Sequence, residues 1–302
     1  MSMFDTMIRT TLPVTPRPVI RFFARRYVAG ACLADAVATV RRLADEGCRA
    51  TIDVLGESVT SRDLAAQAVR SYLEVLDAIA DESLDANVSL KPTQMGLNID
   101  EAFCLDNIAS IIERAGARNN FVRIDMEDAP TTDATLRIYH RLIARHPGAT
   151  GVVLQARLRR TLADAAELAK SRTNVRLCKG IYLEPRSIAY QERDIIRDTY
   201  LHVLRVLLEG GSYVGIATHD EWLVAESLAM IHRLGIGPDR YEFQMLLGVD
   251  PELRRIIVSA GHRLRVYVPF GSHWYPYSVR RLRENPTIAR VGFQAFLRGR
   301  IG

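Results

Sequence analysis

The chain has 302 residues, 48% of them hydrophobic and 25% charged, with a formal net charge of +5. That balance suits a chain able to bury a sizeable core and excludes extensive disorder. Basic and acidic residues are interspersed along the length, which argues against a nucleic-acid partner and leaves only a weak attraction to anionic membrane surfaces. The opening residues read as two short helices, FDTMIRTTL and PRPVIRFFARRYV. The second clusters Val19, Phe22, Phe23 and Tyr27, the stripe of a helix packed on a main domain or, alternatively, of a docking face for a membrane or partner.

From Leu33 onward strands and helices alternate. The helix LADAVATVRRLADEG ends at Gly47, and the β-branched strand RATIDVLGE follows. Ser61 is a candidate N-cap for the long helix SRDLAAQAVRSYLEVLDAIADE. Next come strand NVSLKPTQM, helix EAFCLDNIASIIERAG, strand NFVRIDMED and helix TTDATLRIYHRLIARHPG. Strand TGVVLQARL precedes helix TLADAAELAKSR, and strand NVRLCKGIY precedes a long helix expected to run from Glu184 to Gly211. Strand SYVGIATHD and helix EWLVAESLAMIHRLGI, then strand RYEFQMLLG and helix PELRRIIVSAG, lead to the last strand, HRLRVYVPFG, and a final helix. Eight strands each followed by a helix imply parallel βαβ units and predict a (β/α)8 barrel at 49–302, preceded by a helical extension at 1–48. A doubly wound sheet would want a Gly-rich turn after its first strand, and LGESVTSRD is not one.

The four cysteines, Cys32, Cys48, Cys104 and Cys178, form no C-x-x-C pair and have no histidine at metal-ligand spacing. Isolated cysteines in a long chain point to a reducing cytoplasm and to no metal site. No run approaches the ~20 apolar residues of a membrane span, and the N-terminus has no signal-peptide core.

In such a barrel chemistry sits at the C-terminal ends of the strands. Those ends supply Lys91, Asp125 and Glu127, Gln155, then Arg176, Lys179 and Tyr182, then Thr218 and His219, Glu242 and Gln244, and Tyr267. Any one of them reads as a solvated loop residue; the crowding of polar groups at one mouth points to a site. Lys91 ends an apolar strand and wants an anion. Gln155 offers donor and acceptor to a heterocycle edge, Gly180 permits close backbone approach, and Thr218 and His219 adjoin a helix N-terminus suited to phosphate. In the final helix, Tyr277, Arg280, Arg281 and Glu284 share one face at i, i+3, i+4 and i+7. Laid across the mouth, the two arginines with Lys91 would clamp a carboxylate, and Tyr267 and Tyr277 would flank a small apolar body. The plain alternative is a surface ion pair between Arg280 and Glu284.

SLKPTQMG, RIDMED, VLQA, VRLCKGIY, ATHDE, YEFQMLLG and VYVPFGSHWYPYSVRRLRENP occur in this order over most of the chain. Together they make it similar to the proline dehydrogenase family, in its single-function bacterial form. The resemblance implies a distorted (β/α)8 barrel with its last helix over the mouth, holding FAD, with FMN as the alternative. It implies oxidation of L-proline to Δ1-pyrroline-5-carboxylate by hydride transfer from C5 to flavin N5, with electrons passed to a membrane quinone and a peripheral membrane contact. By position, Lys91, Arg280 and Arg281 match the family's carboxylate-binding residues. Tyr267, Tyr277 and Leu246 match those packing around the proline ring, and Glu284 an acid near the substrate amine or the FAD. Asp125, Gln155, Arg176, Lys179, Gly180, Thr218 and His219 match the flavin-binding set, with Cys178 and Ile181 at neighbouring apolar positions. Two readings stay beside this one: a Schiff-base aldolase using Lys179 or Lys91, and a non-enzymatic carboxylate sensor built on the same arginine face. Oligomeric state is not read from the sequence.

Overall fold

Alternating apolar residues dictate the sheet, and the helices between the strands cover it. The computed structural model describes residues 25–275 and 277–279. The strands are β1 (Arg49–Val54), β2 (Ala86–Leu90), β3 (Val122–Ile124), β4 (Thr150–Gln155), β5 (Asn174–Cys178), β6 (Tyr213–Ala217), β7 (Tyr241–Leu246) and β8 (Leu264–Phe270). All neighbours pair in parallel, and β8 returns to β1 with Tyr267 opposite Thr51, which closes the barrel. The eight expected strands are therefore present in the expected order.

Before β1 lies α1 (Leu33–Asp45), and the helices after successive strands are α2 (Arg62–Asp81), α3 (Glu101–Ala117), α4 (Ala129–Arg145), α5 (Thr161–Lys170), α6 (Arg193–Glu209), α7 (Glu221–Arg233) and α8 (Pro251–Ser259). The α2 helix shows the logic. Ser61 accepts a hydrogen bond from the Leu64 amide at its start, and Ala65, Ala68, Tyr72, Val75, Leu76 and Ile79 are buried at three- and four-residue spacing. The matching strand faces are Ala50 and Ile52, Val88 and Leu90, Val175 and Leu177, and Val266 and Val268, all fully buried in the same core. Each valine, leucine or isoleucine among them contributes roughly 1.5–3 kcal/mol of burial.

The long helix expected from Glu184 begins instead at Arg193. Pro185 disfavours helix for the residue before it. Residues 185–190 serve another purpose: they lie across the end of β4. Leu158 and Ala189 form a β-bridge, the Arg159 amide donates to Ile188 O (3.0 Å), and the Tyr190 amide donates to Arg157 O (2.8 Å). Residues 25–27 form a turn, with Tyr27 and Val28 buried. The remaining parts of the two expected N-terminal helices, with Val19, Phe22 and Phe23, lie outside the described residues, as do Arg280, Arg281 and Glu284 and the rest of the final helix beyond Val279.

Candidate active site

Period-two alternation sends the other half of each strand into the barrel, and that half is strongly polar. Toward the N-terminal ends the inward residues form a floor. Arg265 Nε donates to Glu242 Oε1 (2.7 Å) and its Nη1 to Ala50 O (2.7 Å). Arg123 Nη1 donates to Asn174 O (2.8 Å) and Val152 O (3.1 Å), and Nη2 to Asn174 Oδ1 (2.5 Å).

One pleat higher, four of the expected site residues meet. Arg176 Nη1 donates to Asp125 Oδ1 at 2.6 Å, and Tyr267 Oη donates to Asp125 Oδ2 at 3.0 Å. Lys91 Nζ lies 3.4 Å from Tyr267 Oη, which accepts from it because the phenol proton goes to Asp125. The Arg176 guanidinium also stands 5.3 Å from the Tyr267 ring centroid, within cation–π range. Burial first, and then the charges of Asp125 and Asp53, push the Tyr267 phenol well above its ordinary range, so it is a neutral donor. Gln244 joins the two layers: its Oε1 accepts from Arg176 Nε (2.6 Å) and its Nε2 donates to Glu242 (2.7 Å).

Three further groups complete this layer: Glu127, expected at the end of its strand, and Ser89 and Asp53, which carry no conspicuous sequence signal. Ser89 donates to Asp125 (2.7 Å) and accepts from Arg176 (3.1 Å). Glu127, buried, takes the Thr93 amide and hydroxyl at 2.9 and 2.7 Å; burial leads the causes that raise its pKa. Asp53, fully buried, pairs with Lys91 at 2.9 Å. Its one clue is that alternation in TIDV places it beside Thr51 rather than Ile52.

The remaining expected residues spread around the same rim. Gln155 donates to Glu127 O (2.7 Å), which leaves its Oε1 as an acceptor beside Gly180. Gly180 has φ +96°, and a Cβ there would lie 2.8 Å from Gln155 Oε1 and from Arg157 Cδ; any side chain would fill this cradle. Arg157, unforeseen, donates to Tyr182 O (2.6 Å) and so fastens the segment after β5. Cys178 Sγ approaches Leu154 O at 3.5 Å, while Ile181 is 37% exposed. His219 Nε2 accepts the Leu246 amide (2.8 Å), so the ring proton sits on Nδ1; Thr218 Oγ1 accepts the Asp220 amide (3.1 Å). Lys179 is not at the central cluster: it pairs with Asp220 (3.1 Å), which Arg197 also grips at 2.6 and 2.9 Å and Arg193 approaches at 3.4 Å. Burial alone would raise the Asp220 pKa, but its hydrogen bonds to Arg197 and Lys179 outweigh that and hold it well below the carboxylate range. Three cations thus surround Asp220 at the start of α7, with Asp194 3.6 Å from Arg197 as a second carboxylate. Tyr277 is buried in a small cluster with Val28 and Leu55, against Trp274.

These residues fit a flavin. An acceptor on Gln155, a guanidinium on Arg176 whose Nη2 is not used by the bonds above, and a side-chain-free approach at Gly180 suit a planar heterocycle; the positive cluster suits phosphate. The described residues contain no group of three or more His, Cys, Asp or Glu placed to hold a metal.

Comparison with known proteins agrees. The family model described as proline dehydrogenase matches residues 36–291. The chain is 36% identical over 281 residues to proline dehydrogenase 1 of Bacillus subtilis (strain 168), covering 92% of each chain. It is 33% identical over 313 residues to proline dehydrogenase of Deinococcus radiodurans, covering 98% of this chain and all of that one. Among solved structures, proline utilization A of Bdellovibrio bacteriovorus superposes with a TM-score of 0.81 at 24% identity, over 88% of this chain and 33% of that one. The chain thus spans about a third of that larger protein, and at this identity the likeness bears on the barrel fold alone. With the family match over most of its length, the (β/α)8 barrel and close relatives matched nearly end to end, the chain belongs to the proline dehydrogenase family, a family of oxidoreductases.

Proposed function

We propose that the mouth of the barrel binds FAD and L-proline and that the enzyme oxidises L-proline to Δ1-pyrroline-5-carboxylate, the electrons passing on to a membrane quinone. The observation that carries the reading is the linked cluster of Lys91 and Asp125, which directly follow β2 and β3, with Arg176 and Tyr267 pointing inward from the middles of β5 and β8. A bound flavin supplies the hydride acceptor. In this reading Arg176, Gln155, Asp125 and Gly180 hold the ring system. Thr218, His219 and the positive cluster of Lys179, Arg193 and Arg197 hold the diphosphate, which favours FAD over FMN. Cys178 and Ile181 border the same cofactor.

Lys91, with Arg280 and Arg281, would take the substrate carboxylate, and Tyr267, Tyr277 and Leu246 would flank the ring, with Glu284 near the amine or the FAD. Hydride leaves the carbon next to nitrogen, whose lone pair stabilises the developing iminium, so the amine must be neutral when hydride departs. Lys91 and Arg176 are each met by a carboxylate, Asp53 and Asp125, so in this reading the like-charge repulsion that lowers the amine's pKa would come from Arg280 and Arg281. Fixing the carboxylate aims C5, so the protein acts chiefly by positioning. The aldolase reading loses ground because both its lysines are ion-paired, Lys91 to Asp53 and Lys179 to Asp220; a Schiff-base lysine must shed its proton.

Residues 49–302 would form the catalytic unit and 1–48 an extension. No helix among the described residues is long and apolar enough to cross a membrane, so contact with a quinone-bearing membrane would be peripheral, from the cytoplasm. Trapping the product tests the reaction. With L-proline and a water-soluble quinone, o-aminobenzaldehyde should develop the coloured adduct of the cyclic imine. Absence of the adduct from flavin-replete protein contradicts the proposal.

A further inference from the structure

Asp53 is a carboxylate of the upper layer that no expected role absorbs, and unlike Glu127, which is held by Thr93, it is bonded to Lys91. It is fully buried on β1, and its Oδ2 has no hydrogen-bond partner among the described residues. Its Oδ1 lies 2.9 Å from Lys91 Nζ and 3.4 Å from Tyr72 Oη. The Tyr72 contact adds little. A phenol has one proton, and that of Tyr72 points to Ser89 O at 2.7 Å. Among the described residues Lys91 is therefore the only strong donor to Asp53.

The reverse also holds. Of the three protons on the ammonium, one goes to Asp53 and one to Tyr267, and among the described residues the third has no partner, so it is available to a ligand. Burial is the largest influence on Lys91 and pulls its pKa down, but Asp53, Asp125 and Glu127 outweigh it and leave it raised. The other charged and titratable groups around it are Tyr72 on α2, Tyr267 on β8, and Arg176, whose charge is met by Asp125. Asp53 acts on Lys91 more strongly than the other anions and, among the described residues, is the only one of them bonded to Nζ. Asp125 is already shared among Arg176, Ser89 and Tyr267, and Glu127 is held by Thr93.

We propose that Asp53 is a positioning residue for substrate binding: it keeps the buried Lys91 ammonium charged and aims its free proton at the carboxylate of the incoming amino acid. This rests on the reading of Lys91 as a carboxylate ligand. A buried lysine without its counter-ion sheds its proton readily. The consequence is a pH dependence that simple loss of packing would not produce.

The probe is cyclopentanecarboxylate, a ring carboxylate with no titrating amine, bound to the flavin-loaded enzyme and followed by the flavin spectrum. In the parent, affinity should be flat from pH 7 to 9. In Asp53→Asn, flavin content should be retained, and affinity should fall about tenfold per pH unit above the lowered Lys91 pKa. Asp53→Glu should restore part of the flat profile. A parent-like affinity and profile in Asp53→Asn overturns the proposal. Lys91→Met separates the two claims. If it binds the probe as the parent does, the carboxylate role of Lys91 fails and the proposal with it; if it binds weakly while Asp53→Asn does not, only the role of Asp53 fails. Should Asp53→Asn not fold, the double variant Asp53→Asn/Lys91→Met, with neither charge left unpaired, decides. A dissociation constant equal to that of Lys91→Met supports action through Lys91, and a further loss overturns it.

Discussion

The floor and the mouth of the barrel are built from the same chemistry and end in different states. Arg123 on the floor and Arg176 at the mouth each sit inside an apolar strand, in VRI and VRL, and both point inward. Arg123 is bound by two backbone carbonyls and an asparagine side chain, fixed groups that cannot turn to a ligand. Among the described residues Arg176 is bound only by side chains, those of Asp125, Ser89 and Gln244. Glu242 is held through Oε1 by Arg265 and Gln244, and among the described residues its Oε2, like Asp53 Oδ2, has no hydrogen-bond partner, so the contrast rests on the two arginines. Of these two buried arginines, the one whose bonding the backbone completes is structural, and the one held by side chains is available for chemistry.

The strongest way to break this contrast is to attack the floor. Glu242→Ala leaves the buried Arg265 uncompensated and should cost about 3–5 kcal/mol in chemical denaturation. The protein that remains folded should keep its KM for L-proline; a raised KM would mean that the floor takes part in the site. At the mouth the balance should reverse. Arg176→Lys keeps a charge but loses the fork that reaches Asp125 and Gln244 together. We expect flavin reduction to slow by about 10²–10³-fold, with a stability change well below that of the floor variant.

A third, smaller effect lies on the rim. The depressed pKa of Asp220 adds stability that is present above the ordinary carboxylate range and lost as pH falls through the folded value. Asp220→Asn should therefore be about 1–2 kcal/mol less stable than the parent at pH 7, a figure reduced because Lys179 and Arg193 are open to water. The gap should close as pH drops below about 4; a gap constant with pH would show that charge is not its origin. The smallest expected effect is at Leu183, 97% exposed. Leu183→Ser should change stability by less than about 0.5 kcal/mol, so any loss of flavin retention in this variant would mark the segment as a cofactor contact.

Much of this architecture is legible before folding. Eight apolar runs separated by helices of the right period are enough to name the barrel, and the strand-end rule brings Lys91, Asp125, Arg176 and Tyr267 to one mouth. What is not legible depends on register and on distant pairing. Arg123 and Arg176 differ by one pleat, since Arg123 lies opposite Gly151 on β4 while Arg176 lies opposite Val153. No local pattern contains that offset. Asp53 hides in an apolar strand because its partner is 38 residues away. The segment at 184–192 has helical composition, but its backbone bonds go to Arg157 and Arg159, a tertiary demand that overrides propensity. Asp220 looks like an ordinary helix start; Lys179, Arg193 and Arg197, which single it out, come from the β5 end and from α6.

The account stands most directly on one spectrum: that of the purified, flavin-loaded protein before and after anaerobic addition of L-proline. It predicts flavin absorbance that bleaches with L-proline in the parent and in Glu242→Ala, and bleaches far more slowly in Arg176→Lys. A flavin spectrum unchanged by L-proline in the parent would contradict it.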